Sequence, residues 1–235
     1  MKKAIIVLIV AVLFPSLALA DAALVGAVAG LSAGGGEAES FCAGTGSGDA
    51  TCEDFDTGST ACGDDGNSNC SVSWTNTGGG VNNQATGLDG TYAKQFDLSS
   101  PAATYSHYDF TAGSPMYLFE RVNIGEIATN VGGSNRPVSM LATNAGLLCG
   151  LGVNLVTGKW YVFSNGGAQS DESTGPSVDT TYRVWIDYTK NSATGCKVTV
   201  SDSNTKGTAF GAPGYQTADT DASRHYVYGY YSAAF

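Results

Sequence analysis

The sequence predicts an all-β protein built as an antiparallel two-sheet β-sandwich, and three observations support this prediction. Residues 180–203 hold two strictly alternating segments, joined by a polar stretch rich in Asn, Ser and Gly. From about residue 90 onward, further short strand-like segments are separated by Gly-rich turns. No segment sustains a 3.6-residue hydrophobic period. Many short alternating strands with glycine turns are typical of a sandwich with one face of each sheet in a core.

Residues 180–203 give the clearest strand assignment. On the first strand Tyr182, Val184, Ile186 and Tyr188 share the apolar phase, against Arg183, Trp185 and Asp187; on the second, Cys196, Val198 and Val200 stand against Lys197, Thr199 and Ser201. The other predicted strands are TYAKQFDL, TYSHYDF, PMYLFERVNI, PVSMLAT, LLCGLGVNL, KWYVFS and HYVYGYYS, with a strand-like piece at 53–56. In KWYVFS, Trp160 and Tyr161 are adjacent, so one of them faces the core, and the sequence leaves open which.

The N-terminus predicts export. Lys2 and Lys3 precede an apolar run over 4–14, and Ala18 and Ala20 give the small-x-small pattern of a cleavage site, so residues 1–20 are predicted to be a signal peptide. An uncleaved anchor that continues past Asp21 is the alternative. Residues 21–40 are predicted to be a flexible Gly/Ala-rich linker. Residues 41–235 are predicted to form a single β-sandwich domain with disulfide-pinned N-terminal loops.

The charge of the chain limits its partners. The formal net charge is −10, with 11 basic and 21 acidic groups. Loss of Lys2 and Lys3 with the leader would make the mature chain still more acidic. An acidic exported protein is a poor ligand for nucleic acid or an anionic membrane surface. We therefore expect no nucleic-acid partner. The export signal predicts an extracellular, cell-surface or periplasmic location with no membrane span in the mature chain, and the partner expected from the ligand site described below is a carbohydrate or a cell-surface protein.

The six cysteines all follow the leader, and an even number in an oxidising compartment predicts disulfides. Cys149 shares the apolar phase of its segment with Leu151 and Val153, and Cys196 lies on the apolar phase of its own strand. We therefore predict a Cys149–Cys196 bridge between two core strands. The remaining four cysteines then pair locally, most simply as Cys42–Cys52 and Cys62–Cys70. Because CxxC spacing is absent, a zinc site is the weaker interpretation.

Four segments carry a family resemblance. They are CEDFDTG, YLFERVNIG, GLGVNLVTGKWYVF and TTYRVWIDYTKNSATGCKVTVSD, in that order. Over roughly residues 50–235 the chain resembles the LamG-like jelly roll of the concanavalin A-like lectin and glucanase superfamily. The resemblance implies two antiparallel sheets, one of them concave. Members of that superfamily bind sugars, cleave glycans, bind proteins or only provide structure. Such domains usually close with a further strand after the equivalent of HYVYGYYS, whereas the sequence here ends at Phe235, three residues after that segment. Either the aromatic strand is the closing one or the sequence is truncated.

A ligand site is predicted on the face opposite the core, at Arg183, Trp185 and Asp187. Sugars stack their C–H faces on aromatic rings while planar polar groups bind their hydroxyls. The competing interpretation is that Trp185 packs under a loop or against the other sheet. In that case Arg183 and Asp187 form an ordinary surface pair.

Catalysis has weaker support. The E-x-D-x-x-E strand of the glucanase members is absent, and Glu53, Asp54 and Asp56 have the wrong order for paired catalytic carboxylates. His107 and His225 lie in aromatic strand-like segments, where a packed histidine is more common than a general base. We therefore assign no catalytic residue.

No cofactor is required, and calcium is the one ion that the sequence suggests. Asp64, Asp65, Asn67 and Asn69 offer oxygen ligands between Cys62 and Cys70, although the closing glutamate of a calcium loop is missing. A solvated turn is the alternative.

The sequence favours a secreted or surface-exposed, non-catalytic carbohydrate- or ligand-binding module. One alternative is a structural or adhesive protein of a cell-surface or particle assembly that lacks a sugar site. A second alternative is a diverged glycan lyase or hydrolase.

Overall fold

The computed structural model describes residues 23–27, 70, 72–78, 81–86, 92–97, 104–125, 135–165, 170–172, 174–203 and 214–229. The strands are β1 (Ala23–Ala27), β2 (Thr75–Thr77), β3 (Val81–Thr86), β4 (Tyr92–Asp97), β5 (Thr104–Gly113), β6 (Met116–Ile124), β7 (Asn135–Ala142), β8 (Leu147–Asn154), β9 (Lys159–Ser164), β10 (Ser170–Asp171), β11 (Thr180–Tyr188), β12 (Cys196–Ser201) and β13 (Ala222–Gly229). Within these ranges the chain forms no helix, and so no helix that could span a membrane.

The strands form two sheets. A six-stranded sheet has the order β12–β11–β6–β1–β4–β3, and a seven-stranded sheet has the order β10–β9–β8–β7–β13–β5–β2. Every pairing between neighbouring strands is antiparallel. The predicted all-β, antiparallel two-sheet sandwich is therefore confirmed.

Strands appear at all nine segments from residue 90 onward where alternation predicts them. The additional strands β2 and β10 have three and two residues, too few to show a period. Strand β3 is VNNQAT, whose amides are poor strand formers. The strand-like segment predicted at 53–56 lies outside the described residues.

The structure differs from the linker prediction at residues 23–27. These residues form β1, which pairs with β4 on one side and β6 on the other. Strand pairing uses backbone N–H and C=O groups, so the segment ALVGA, which is apolar or small throughout, can join a sheet without showing a polar–apolar alternation. The rest of 21–40 and the predicted signal peptide lie outside the described residues.

The core lies between the two sheets. The six-stranded sheet contributes Leu118, Val122, Tyr182, Val184 and Ile186, and the seven-stranded sheet contributes Leu141, Leu151, Val153, Trp160 and Val162. Trp160 packs edge-on against Tyr182, with ring centroids 5.2 Å apart. The structure thus answers the question that the sequence left open: Trp160 faces the core, and Tyr161 lies on the outer face beside Phe163. Burying each large apolar side chain contributes about 1.5–3 kcal/mol.

A disulfide joins the two sheets. Cys149 on β8 and Cys196 on β12 are bonded, with an S–S distance of 2.10 Å and a Cα–Cα distance of 5.5 Å. The predicted bridge is confirmed. Cys70 is also disulfide-bonded, and none of the three cysteines that the structure describes is free. The predicted partner Cys62, and the predicted pair Cys42 and Cys52, lie outside the described residues.

The turn between β11 and β12 is held by the segment that leads into β13. The Thr217 hydroxyl donates to the Thr189 carbonyl at 2.6 Å and accepts from the Ser192 N–H at 3.1 Å. Within the turn Asn191 has a left-handed φ of 51°, which asparagine tolerates better than most residues. Gly195 is required because a Cβ there would lie 2.0 Å from the Thr189 carbonyl oxygen. These contacts fix the end of the β11–β12 hairpin, which carries the predicted site.

Candidate functional site

The three predicted site residues lie together on the outer face of the six-stranded sheet. Arg183, Trp185 and Asp187 alternate along β11 with side chains that are fully buried on the other face, including Val184 and Ile186. All three outward residues are only partly exposed. The predicted phase of β11 is therefore confirmed: Trp185 is out of the core between the sheets, and its ring is half-buried.

Strand β6 supplies a second row of side chains to this face. Tyr117, Phe119 and Arg121 lie directly opposite Asp187, Trp185 and Arg183, respectively. The sequence left the orientation of YLFERVN open, and the structure decides it. The even phase (Leu118, Glu120 and Val122) is buried, and the odd phase faces outward.

The centre of the face is an aromatic pair. The Phe119 and Trp185 rings stack with centroids 5.0 Å apart and an interplanar angle of 28°. On its other side Trp185 lies opposite Thr199 of β12, which is 1% exposed. Trp185 is thus held between two neighbouring strands, which fixes the orientation of its ring.

Two arginines lie side by side at one end of the aromatic pair. Arg121 and Arg183 are direct cross-strand neighbours. Burial lowers the pKa of Arg121, and the positive charge of Arg183 lowers it further. Two basic side chains are thus direct neighbours at this end of the aromatic pair.

The opposite end of the aromatic pair is mixed in charge. Asp187 lies between Tyr117 on β6 and Lys197 on β12, and Tyr117 is 51% exposed. Along the outward positions of β6, β11 and β12, the basic residues are Arg121, Arg183 and Lys197, and the acidic residue is Asp187. This part of the surface therefore carries a positive formal charge, although the whole chain has a formal charge of −10.

A serine, a histidine and a glutamate meet in the core. His225 Nε2 lies 3.1 Å from Ser139 Oγ and 3.5 Å from Glu120 Oε2, and all three residues are 0% exposed. In a catalytic triad the serine and the carboxylate contact opposite ring nitrogens. Here both approach Nε2, and Nδ1 has no hydrogen-bond partner within the described part of the chain. The group lacks triad geometry, and its burial leaves no room for a substrate.

The second histidine, His107, lies on the outer face of the seven-stranded sheet. It is half-buried and packs against Tyr226, with centroids 5.1 Å apart. Both histidines are thus packed within aromatic surroundings, as the sequence context favours.

The calcium candidate Asp64, Asp65, Asn67 and Asn69 lies outside the described residues, as do Glu53, Asp54 and Asp56. Among the residues that the structure describes, no three His, Cys, Asp or Glu side chains come together in a group that could hold a metal ion.

Comparison of the chain with protein-family models, with curated proteins and with solved structures gives no match. The functional argument therefore rests on the sequence of this chain and on the geometry and chemistry of its described residues.

Proposed function

We propose that this protein is an exported, non-catalytic carbohydrate-binding module that holds its ligand on the outer face of β6, β11 and β12. The observation that carries the proposal is the stacked Phe119–Trp185 pair, which lies on that face between two charged ends. A half-buried ring pair has an apolar surface for the C–H face of a sugar, and its neighbours supply donors and acceptors for hydroxyl groups.

The strands hold these groups in place before any ligand arrives. Trp185 is fixed between Phe119 and Thr199, and its strand is anchored on the core by Val184 and Ile186. A ligand that binds to such a rigid surface loses little free energy to ordering the protein.

The charge of the face favours an acidic sugar. Three of the four charged side chains at the outward positions of β6, β11 and β12 are basic, and Arg183 lies at the centre of this group, so its guanidinium could bind a carboxylate or sulfate group of the sugar. A polysaccharide that contains uronic acids combines a C–H face for Trp185 with a carboxylate for Arg183. Uronate-containing glycans are therefore the ligand class that we propose.

The resemblance to LamG-like jelly rolls supports the same assignment, since sugar binding is one of the activities found in that superfamily. The confirmed two-sheet fold is consistent with it. Export through a signal peptide, and an extracellular, cell-surface or periplasmic location, belong to the proposal as well. So does a calcium ion on Asp65, Asn67 and Asn69, as a supporting ligand of the N-terminal loops.

Binding to a glycan panel tests the proposal. The full chain, expressed with export, would be titrated with oligosaccharides of polygalacturonate and alginate, and with neutral xylan and cellulose oligosaccharides, at two salt concentrations. We expect the face to bind an acidic oligosaccharide, with an affinity that falls as salt rises. Arg183→Gln should weaken this binding about 10-fold, as expected for loss of one charge-assisted hydrogen bond.

The alternatives give different results in the same assay. A structural or adhesive module would bind none of the acidic oligosaccharides. A lyase or hydrolase would release unsaturated products or new reducing ends during the titration, and either product would contradict the non-catalytic assignment.

The conservative variant Arg183→Lys serves as the matched control for Arg183→Gln, because it keeps the positive charge and loses only the planar fork of the guanidinium group.

A further inference from the structure

A second set of aromatic side chains lies on the outer face of the other sheet. Tyr105 and His107 on β5 lie directly opposite Tyr228 and Tyr226 on β13. We call these four residues the four-ring patch. The residues that alternate with them along the two strands, including Ser106, Tyr108 and Val227, are buried. The four rings are only partly buried and point away from the core.

The rings form one continuous surface. The centroid distances are 5.1 Å for His107–Tyr226, 5.4 Å for Tyr105–Tyr228 and 5.5 Å for Tyr226–Tyr228. Tyr226 and Tyr228 are stacked with an interplanar angle of 28°. Because Tyr105 also contacts Tyr226 across the diagonal at 5.6 Å, each ring is supported by its neighbours.

An ion pair borders the patch. Arg224 and Asp109 are the next cross-strand neighbours along β13 and β5. The Arg224 Nη2 donates to Asp109 Oδ2 at 2.8 Å, and Nη1 donates to the Tyr226 hydroxyl at 3.0 Å. The guanidinium carbon also lies 5.6 Å from the centroid of the Tyr226 ring. Arg224 is therefore held in place, and its charge is balanced by Asp109.

The patch is also bordered by hydroxyl groups. Thr75 and Thr77 of β2 lie opposite His107 and Tyr105. The border of the patch thus contains threonine hydroxyls, a carboxylate and a guanidinium, all next to exposed edges of aromatic rings.

From these contacts we infer that the four-ring patch is a second carbohydrate-binding site, specific for an uncharged polysaccharide. Aromatic rings with polar borders suit the alternating C–H faces and hydroxyls of sugars. The paired charges of Arg224 and Asp109 leave the patch without the positive excess of the face around Trp185. The acidic chain as a whole disfavours an anionic ligand here.

The four-ring patch lies on the side of the molecule opposite to the Trp185 face, which has a functional consequence. The Trp185 face and the four-ring patch lie on the outer faces of opposite sheets, so they point in opposite directions. One molecule could then hold two polysaccharide chains at once and cross-link them. The second site stands on its own contacts and does not depend on the function proposed for the Trp185 face.

The test is depletion of the full chain from solution by cellulose, xylan or mannan, followed by titration with hexasaccharides of whichever polymer binds. We expect at least one of these neutral polymers to bind the protein, and Tyr226→Ala to weaken this binding 10-fold or more. Tyr228→Ala should have the same direction of effect. Thr111→Ala, an exposed position farther along β5, is the matched control and should leave the affinity within about two-fold of the wild-type value.

Four results would overturn the inference. The first is that the protein binds none of the three polymers, and the second is that folded Tyr226→Ala and Tyr228→Ala bind as well as the wild type. The third is that Trp185→Ala loses binding to the neutral polymer. The fourth is that sedimentation shows a dimer for the wild type and a monomer for Tyr226→Ala. The third result would place neutral sugars on the Trp185 face, and the fourth would make the patch an interface between copies of this chain. Circular dichroism of each variant separates loss of binding from loss of folding.

Discussion

Glu120 and His225 face each other across the core, from β6 in one sheet and β13 in the other, with Oε2 and Nε2 3.5 Å apart. Both residues are 0% exposed. Among the residues that the structure describes, neither carboxylate oxygen of Glu120 has a hydrogen-bond partner, and neither has the Nδ1 atom of His225. Trp74 and Tyr108 contact the imidazole edge-on, at 6.1 and 5.5 Å. The two sheets are thus joined by a polar contact in the interior, where the Ser139 hydroxyl also lies 3.1 Å from His225 Nε2.

This contact predicts unequal effects for single and double replacements. Glu120→Leu should destabilise the protein by about 1–3 kcal/mol, because the buried His225 then keeps only the Ser139 hydroxyl as a polar contact. The double replacement Glu120→Leu with His225→Leu should cost clearly less than the single one, since no buried ionisable group then lacks a partner. Urea unfolding of these two variants and of His225→Leu alone measures the coupling free energy. A double-variant cost equal to the sum of the two single costs would mean that the two side chains are not coupled.

Loss of the disulfide between the sheets should be costly. Cys149 and Cys196 are separated by 47 residues, and chain-entropy estimates for a loop of that size give about 4 kcal/mol. We expect the double variant Cys149→Ala with Cys196→Ala to lose about that much stability in denaturant unfolding. Non-reducing peptide mapping should link the two peptides in exported protein, and a free thiol at either position would contradict the assignment.

Ile186 lies on the core-facing side of β11, the strand that carries the candidate site. Its side chain is 0% exposed and belongs to the main core. Ile186→Ala should cost about 2–5 kcal/mol through loss of apolar burial and formation of a cavity. Thermal and urea unfolding report this cost. A cost below about 1 kcal/mol would mean that the core around β11 collapses to fill the space.

His107 predicts a pH dependence of stability. Burial lowers the pKa of His107, and the charge of Arg224 lowers it further, while Asp109 acts in the opposite direction. Tyr105, Tyr226 and Thr75 also face the ring. Below about pH 6.5, the ordinary histidine pKa, the unfolded chain takes up a proton before the folded chain does. The contribution of His107 to stability should therefore decrease as pH falls through this range.

The comparison of wild type with His107→Gln isolates this contribution. Unfolding free energies at pH 7.5 and 5.5 should fall less in the variant than in the wild type, because glutamine does not titrate. An identical fall in both proteins would show that His107 has the same pKa in the folded and unfolded states.

Strong alternation explains which parts of the fold could be predicted from the sequence. The β11–β12 hairpin and the Cys149–Cys196 bridge follow from period-2 phase, because each strand must turn one face to the core. Strand β1 could not be predicted, since its sequence ALVGA contains no polar residue and so shows no polar–apolar alternation. The sequence could not show which of Trp160 and Tyr161 faces the core, because both side chains are large and apolar enough to be buried. In the structure both are buried, on opposite faces of their sheet.

The candidate site shows the same limit. The outward phase of Arg183, Trp185 and Asp187 follows from β11 alone. The stack of Trp185 on Phe119 and the approach of Arg121 depend on the register between β6 and β11, which is set by contacts far apart in sequence. The four-ring patch likewise requires the pairing of β5 with β13. The signal in TYSHYDF and HYVYGYYS is the alternation of aromatic residues, which indicates two aromatic strands but not that they are neighbours.

The most direct test of the central claim is the affinity of Trp185→Ala for the acidic oligosaccharide that binds best to the wild type. The proposed function predicts a loss of about 1–2 kcal/mol, roughly 5- to 30-fold, because the sugar loses its stacking surface. The melting temperature should fall much less than in Ile186→Ala, since Trp185 is half-buried and outside the core between the sheets. An unchanged affinity in a folded Trp185→Ala variant, or a destabilisation as large as that of Ile186→Ala, would contradict the assignment of this face as a carbohydrate-binding site.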